Sequence, residues 1–308
     1  MLVWNAHKSK VRHLAFSPDG ARLASAAEKA ATVRLWEPTT GRKLGELPGR
    51  WGFTSGVAFS PDGKRIATTT MNFRVAIWDA EARRPLAVAA ASQTRYGPAF
   101  APDGSCVAAT GWAGVAVWRD PAVPHPETLG PYADSNWGPD ERFEFDGKDY
   151  VVDKFDSLAF SPDGRLVAAN GIFRAVVWDR ATRAVHRVVP HDEVDALSVV
   201  SFSPDGRRLA IGFGKAAEIH PLKGKGRRVV LTGHTMAVRA IGFAPDGRTA
   251  VTASSDGTVR FWDAATGAPT RTFDWGIGRV YGAALSPDGL TCAAGGEKGQ
   301  IVVWDVDA

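Results

Sequence analysis

The chain is short of cysteine, of one-signed charge and of long apolar runs, and each shortage removes a class of protein. Two cysteines in 308 residues, Cys106 and Cys292, cannot build a disulfide framework and read as small buried apolar side chains. No apolar run approaches the length of a membrane-spanning helix and the first residues lack a signal-peptide pattern, so a cytoplasmic protein is expected. A net charge of +4 is too mild to point to nucleic acid. There is no H-E-x-x-H, no glycine-rich phosphate loop and no cluster with metal-ligand spacing, so neither metal nor cofactor is expected.

What the chain does contain is a recurring phrase. Residues 233–263 open with Gly233-His234, close with Trp262-Asp263 and hold the turn Ala244-Pro245-Asp246-Gly247 between them. That turn recurs in seven copies, spaced 43, 41, 60, 42, 41 and 42 residues apart. A fixed period near 40 marks a repeat architecture. Within the template, apolar runs at 238–243, 248–254 and 258–262 are separated by Pro-Asp-Gly and by Asp256-Gly257. Proline presets φ and glycine accepts the turn, so each copy reads as a small antiparallel sheet. Such a sheet cannot bury both faces by itself. Cys106 and Cys292 are placed at the same point of the second strand in the third and seventh copies.

Gly-His paired with Trp-Asp at this period resembles the WD40 family, and the resemblance spans the whole chain. It implies an all-β fold, a seven-bladed propeller forming a single domain over residues 1–308, each repeat supplying a four-stranded blade. Trp36, Trp78, Trp118, Trp178, Trp262 and Trp304 mark six third strands, while the fifth copy has Ile219-His220-Pro221 instead. The seventh copy lacks an outer strand of its own. Leu2-Val3-Trp4-Asn5 stands before Ala6-His7, with Trp4 in the place of Leu231. The N-terminal strand is therefore expected to complete the last blade and remove the open sheet edges.

The single spacing of 60 reflects an acidic insertion at about 120–157, between blades three and four. Residues 120–156 carry ten acids and three bases, a net of −7, which leaves +11 on the rest. Two alternating runs around Asp146-Gly147 read as a β-hairpin. Asp140, Glu141, Glu144, Asp146 and Asp149 do not match a twelve-residue EF-hand loop and read as solvated acids. The insertion is expected to lie over a basic surface and compete with an acidic ligand. Lys223, Lys225, Arg227 and Arg228 read as an exposed turn.

His234, Ser254, Asp256 and Trp262 hold the residue types of a catalytic triad, but the resemblance assigns them to a buried structural network, and no oxyanion device accompanies them. No other copy keeps the set; the second offers Arg50, Thr70, Asn72 and Trp78. Five tryptophans fall outside the repeat positions: Trp4, Trp51, Trp112, Trp137 and Trp275. In the family fold, the loops entering first strands and those joining second to third strands share one face, the top. All of these tryptophans but Trp4 map there.

The channel mouth is matched by the residues eight and six before each turn proline. These are Lys10 and Arg12, Phe53 and Ser55, Thr94 and Tyr96, Lys154 and Asp156, Ala196 and Ser198, Ala237 and Arg239, Arg279 and Tyr281. Aromatics interleaved with arginine make binding hot spots, and a basic mouth suits an acidic peptide. The candidate binding set is Lys10, Arg12, Trp51, Phe53, Tyr96, Trp112, Arg239, Trp275, Arg279 and Tyr281. The expected function is a non-enzymatic, monomeric scaffold that binds an acidic peptide or protein, with no role for membrane or nucleic acid. The alternative is an enzyme or small-ligand sensor using the central channel. It requires histidines and carboxylates at the mouth, where the matched positions supply only Asp156.

Overall fold

The computed structural model describes residues 1–49, 51–90, 94–111, 114–119, 127–129, 142–145, 148–151, 155–171, 173–191, 199–224 and 226–307; for 94–96, 128, 142–145 and 148–151 it describes the backbone. The described residues form seven four-stranded antiparallel sheets in a ring, one separate two-stranded hairpin and no helix. This is the seven-bladed β-propeller expected from the repeats. In blade six the strands are Val238–Phe243, Thr249–Ser254, Thr258–Asp263 and Pro269–Asp274, innermost first.

The Pro-Asp-Gly turns explain why each copy doubles back where it does. In all seven the glycine lies at φ between 66° and 77°, a conformation that side chains resist. In blade two the Ser60 hydroxyl donates to the Asp62 carboxylate at 2.5 Å and accepts from the Arg65 amide at 2.9 Å. Gly63 N–H closes the turn on the Ser60 carbonyl at 2.8 Å. The Ser60 bond, then the Lys64 amide, holds the Asp62 carboxyl below its ordinary range. The turn proline of each blade also abuts the turn glycine of the next, from Pro18 against Gly63 round to Pro287 against Gly20.

Arginines four residues after three of these prolines latch neighbouring blades together. Arg22 donates to the Gly63 carbonyl (2.8 Å), Arg65 to Gly104 (3.2 Å) and Arg208 to Gly247. Each guanidinium sits 5.4 Å from a ring of the following blade: Phe59, Phe100 and Phe243 respectively. Contacts of this kind contribute about 0.5–1 kcal/mol each when exposed.

The N-terminal strand Leu2–Asn5 pairs antiparallel with Gln300–Asp305, making the outer strand of blade seven. Trp4 stands opposite Ile301, as Leu231 stands opposite Ala217 in blade five, so the expected register holds. Its ring leans on Trp36 of blade one at 5.7 Å.

One expectation needs correction. Cys292 stands opposite Leu285, but the residue opposite Phe100 in blade three is Val107, not Cys106. The two cysteines are therefore one residue out of phase, although both are buried. The basic turn after blade five is exposed at Lys223, Arg227 and Arg228, as expected. Arg228 pairs with Glu218 at 3.0 Å, and Glu218 pairs with His220, which fills the tryptophan slot, at 2.7 Å. Glu218 is buried, and Lys225 lies outside the described residues.

Arg142–Phe145 and Lys148–Val151 pair as the separate hairpin. Asp146-Gly147 between them and most of 120–141 lie outside the described residues.

Removing residues 1–5 should leave the Gln300–Asp305 edge bare. We expect the melting temperature to fall by about 10 °C or more and the protein to self-associate with concentration, as read by calorimetry and light scattering.

Candidate functional site

Blade six shows how its polar residues are used. Trp262 Nε1 donates to Thr252 Oγ1 at 2.8 Å, Thr252 Oγ1 lies 2.7 Å from His234 Nε2, and His234 Nδ1 lies 2.8 Å from Asp256. The bridging hydroxyl is thus Thr252, where Ser254 was expected. Both lie on one strand two residues apart, so alternation alone cannot separate them. Trp262 is in register with Ala250, and its indole reaches along the strand to Thr252. Ser254 instead donates to the Met236 carbonyl at 2.8 Å and accepts from the Asp256 amide at 3.1 Å.

Thr252 is 1% exposed, so no substrate reaches the hydroxyl that a triad reading would need. Burial alone would raise the Asp256 carboxyl; bonds from Thr258, His234 and Thr235 more than reverse this and hold it at about 2. Burial pushes the His234 imidazole down, although Asp256 partly opposes the shift.

Other blades fill the same place differently. In blade one His7 Nε2 meets Ser25 Oγ at 2.7 Å and Trp36 Nε1 donates to it at 2.8 Å, with no aspartate. In blade two Trp51 packs on Trp78, ring centroids 5.3 Å apart, while Trp78 bonds Thr68. In blade seven Trp275 packs on Trp304 at 3.9 Å and stacks on Phe273 at 5.1 Å. Trp51 and Trp275 therefore serve as half-buried wedges on the repeat tryptophans, where blades one and six use histidine. Trp112 and Trp137 lie outside the described residues, and Tyr96 is described only as backbone.

Part of the charged set comes together. Lys10 Nζ lies 5.1 Å and the Arg12 guanidinium 5.4 Å from the ring of Tyr281, across the seam between blades one and seven. Arg239 donates to Ser255 at 2.7 Å, Arg279 is exposed and Phe53 is 49% exposed. Sequence reasoning missed Glu28, which pairs with Arg12 at 2.5 Å and Lys10 at 3.5 Å. Burial raises its carboxyl, but Arg12 and then Lys10 bring it below the usual range. Glu28 lies in a loop joining second and third strands, a class already assigned to this face, so scanning those loops for acids would have found it.

His13 was missed as well, because the matching stopped at eight and six residues before each proline. With Arg12, Ser157 and Arg239 it lines the channel mouth. Its imidazole is lowered to about 4 by burial and then by Arg12. Below the mouth, Ala15, Ser201, Gly242 and Ala284 line the channel. These four stand three residues before a turn proline, where every copy carries alanine, serine or glycine. No carboxylate appears among the described lining residues of either level.

A family model for the WD domain, G-beta repeat, matches residues 1–37, 41–79, 226–263 and 267–305. The chain is 30% identical over 135 residues to an uncharacterized WD repeat-containing protein, sll1491, of Synechocystis, covering 43% of this chain and 38% of that protein. It is 33% identical over 125 residues to echinoderm microtubule-associated protein-like 2 of Rattus norvegicus, covering 38% of this chain and 19% of that one. It is 24% identical over 313 residues to the serine-threonine kinase receptor-associated protein of Gallus gallus, covering 98% of this chain and 81% of that one. The chain thus spans well under half the length of the first two relatives.

Thr252→Val should cost about 3 kcal/mol, since it strands both Trp262 Nε1 and His234, and Ser254→Ala about 1 kcal/mol. Denaturant melts that reversed this order would contradict the network as drawn. The lowered imidazoles add a pH signature. His7 and His13 titrate near 4 when folded, against 6.5 for the ordinary side chain, so the unfolded chain takes up these protons first. Stability should be full above that ordinary value and decline as pH falls toward the folded values. His7→Gln should flatten the decline by up to about 3 kcal/mol in urea melts run across that range.

Proposed function

Given that this chain belongs to the WD40-repeat family, we propose that it is a non-enzymatic scaffold that binds an acidic peptide or protein segment on its top face. WD40 propellers are generally protein-interaction scaffolds. The observation that carries the finer reading is the cluster of Lys10 and Arg12 around Tyr281, with Arg239 and Arg279 on the adjoining blades. One ring flanked by two cations offers a carboxylate partner both charge and a flat apolar floor.

Glu28 does not cancel this surface. It sits against Arg12 and Lys10, and a ligand carboxylate would compete with it for cations already oriented. That competition lowers affinity but favours ligands with more than one acid. The small-walled channel supports the scaffold reading over catalysis. Asp156, the carboxylate that the channel reading would need at the mouth, is buried. The rest of the reading is one domain over 1–308 with the acidic insertion at about 120–157, acting as a cytoplasmic monomer without cofactor or nucleic acid.

The test is binding of a degenerate glutamate-rich peptide pool, read by fluorescence anisotropy at low and physiological salt. Wild type should bind with clear salt dependence, and the combined Arg12→Glu, Arg239→Glu, Arg279→Glu variant should bind about tenfold or more weakly while melting cooperatively. Equal binding by the two proteins overturns the assignment of this face.

A further inference from the structure

Phe73 occupies a position that blades three, six and seven fill with glycine. In blade six the turn between second and third strands closes with Gly257 N–H on the Ser254 carbonyl at 3.1 Å, and Gly257 has φ 92°. Blade seven does the same with Gly299 on Gly296 at 3.3 Å, φ 87°. Blade two makes the identical closure, Phe73 N–H on the Thr70 carbonyl at 3.1 Å, with φ 57°. A bulky side chain is rare in that region because its β-carbon crowds the backbone. In that turn Phe73 keeps 40% of its surface exposed.

Phe73 does not stand alone. The loop carrying Phe53 is laced to it: Met71 N–H donates to the Phe53 carbonyl at 2.8 Å, and a β-carbon on Gly52 would lie 2.7 Å from Asn72. Phe53, 49% exposed, holds on blade two the register that Lys10 holds on blade one. Two solvent-facing phenylalanines thus sit one blade away from the Lys10–Arg12–Tyr281 cluster, on the same face.

We propose that Phe53 and Phe73 form an apolar subsite for a partner segment that carries a phenylalanine or leucine a few residues from its acids. This rests on the top-face reading and adds a second element of recognition to it. Acids seated at Lys10 and Arg12 place the following residues of an extended segment over blade two, where an apolar side chain removes both rings from water. The strained turn is then retained for the side chain it displays.

The test uses two degenerate synthetic peptide pools, both fixed at a pair of glutamates. One is also fixed at phenylalanine a few residues on, the other at serine there. Wild type should prefer the phenylalanine pool by about tenfold. Phe73→Gly relieves the positive φ, so it should melt at a higher temperature than wild type and yet lose most of that preference, while still binding both pools with salt dependence. Phe53→Ser, which leaves the turn unchanged, should lose the preference too. If Phe73→Gly is more stable and the preference survives in both variants, the subsite is wrong and the acidic site stands. If wild type binds the two pools equally, the subsite likewise falls; if it binds neither, both readings fall.

Discussion

Everything in this molecule follows from the fact that a four-stranded sheet of short strands has two apolar faces and can cover neither. Neighbouring blades must do it, and so the inner strands have to approach closely. Gly282 shows how closely: a β-carbon there would lie 2.4 Å from the Arg12 carbonyl of the next blade. The residue three before each turn proline is small in every copy for a related reason, since it faces the channel where seven strands converge. The same convergence brings Arg12, Tyr281 and Arg239, from three blades, into one arc. The proposed site is a by-product of closing the ring, with its chemistry carried at positions on the channel mouth.

Local rules made the architecture legible. A proline with a glycine two residues later, repeated at a steady period, specifies a turn whatever surrounds it. The register of Trp4 could be read because both edges of the closing pair were countable from fixed landmarks. Strand alternation, by contrast, could not decide between Thr252 and Ser254, which share a face. It was also miscounted for Cys106, where one residue moves the side chain to the other side of the sheet.

The site was less legible than the fold. Trp51 and Trp275 looked like surface features because the position they fill normally holds histidine. Trp51 and Trp275 reach the repeat tryptophans from one residue to either side of the histidine position, a displacement that residue matching ignores. Glu28 escaped because charge was summed over segments rather than over loops of one face. Pairings such as Glu218 with Arg228 depend on where an outer strand lies, and no period records that.

The seam in blade seven has a mechanical side. Leu2 faces Val303 and Asn5 faces Gln300, so chain entering at Leu2 and chain leaving at Asp305 depart from the same end of the ladder. Tension between those two points peels the pairs one after another instead of shearing all of them together. The ring is thus easiest to open along one line, and a domain attached at both points would pull on that line first. Every other blade is joined to its neighbours by unbroken chain and carries load only after the seam has parted.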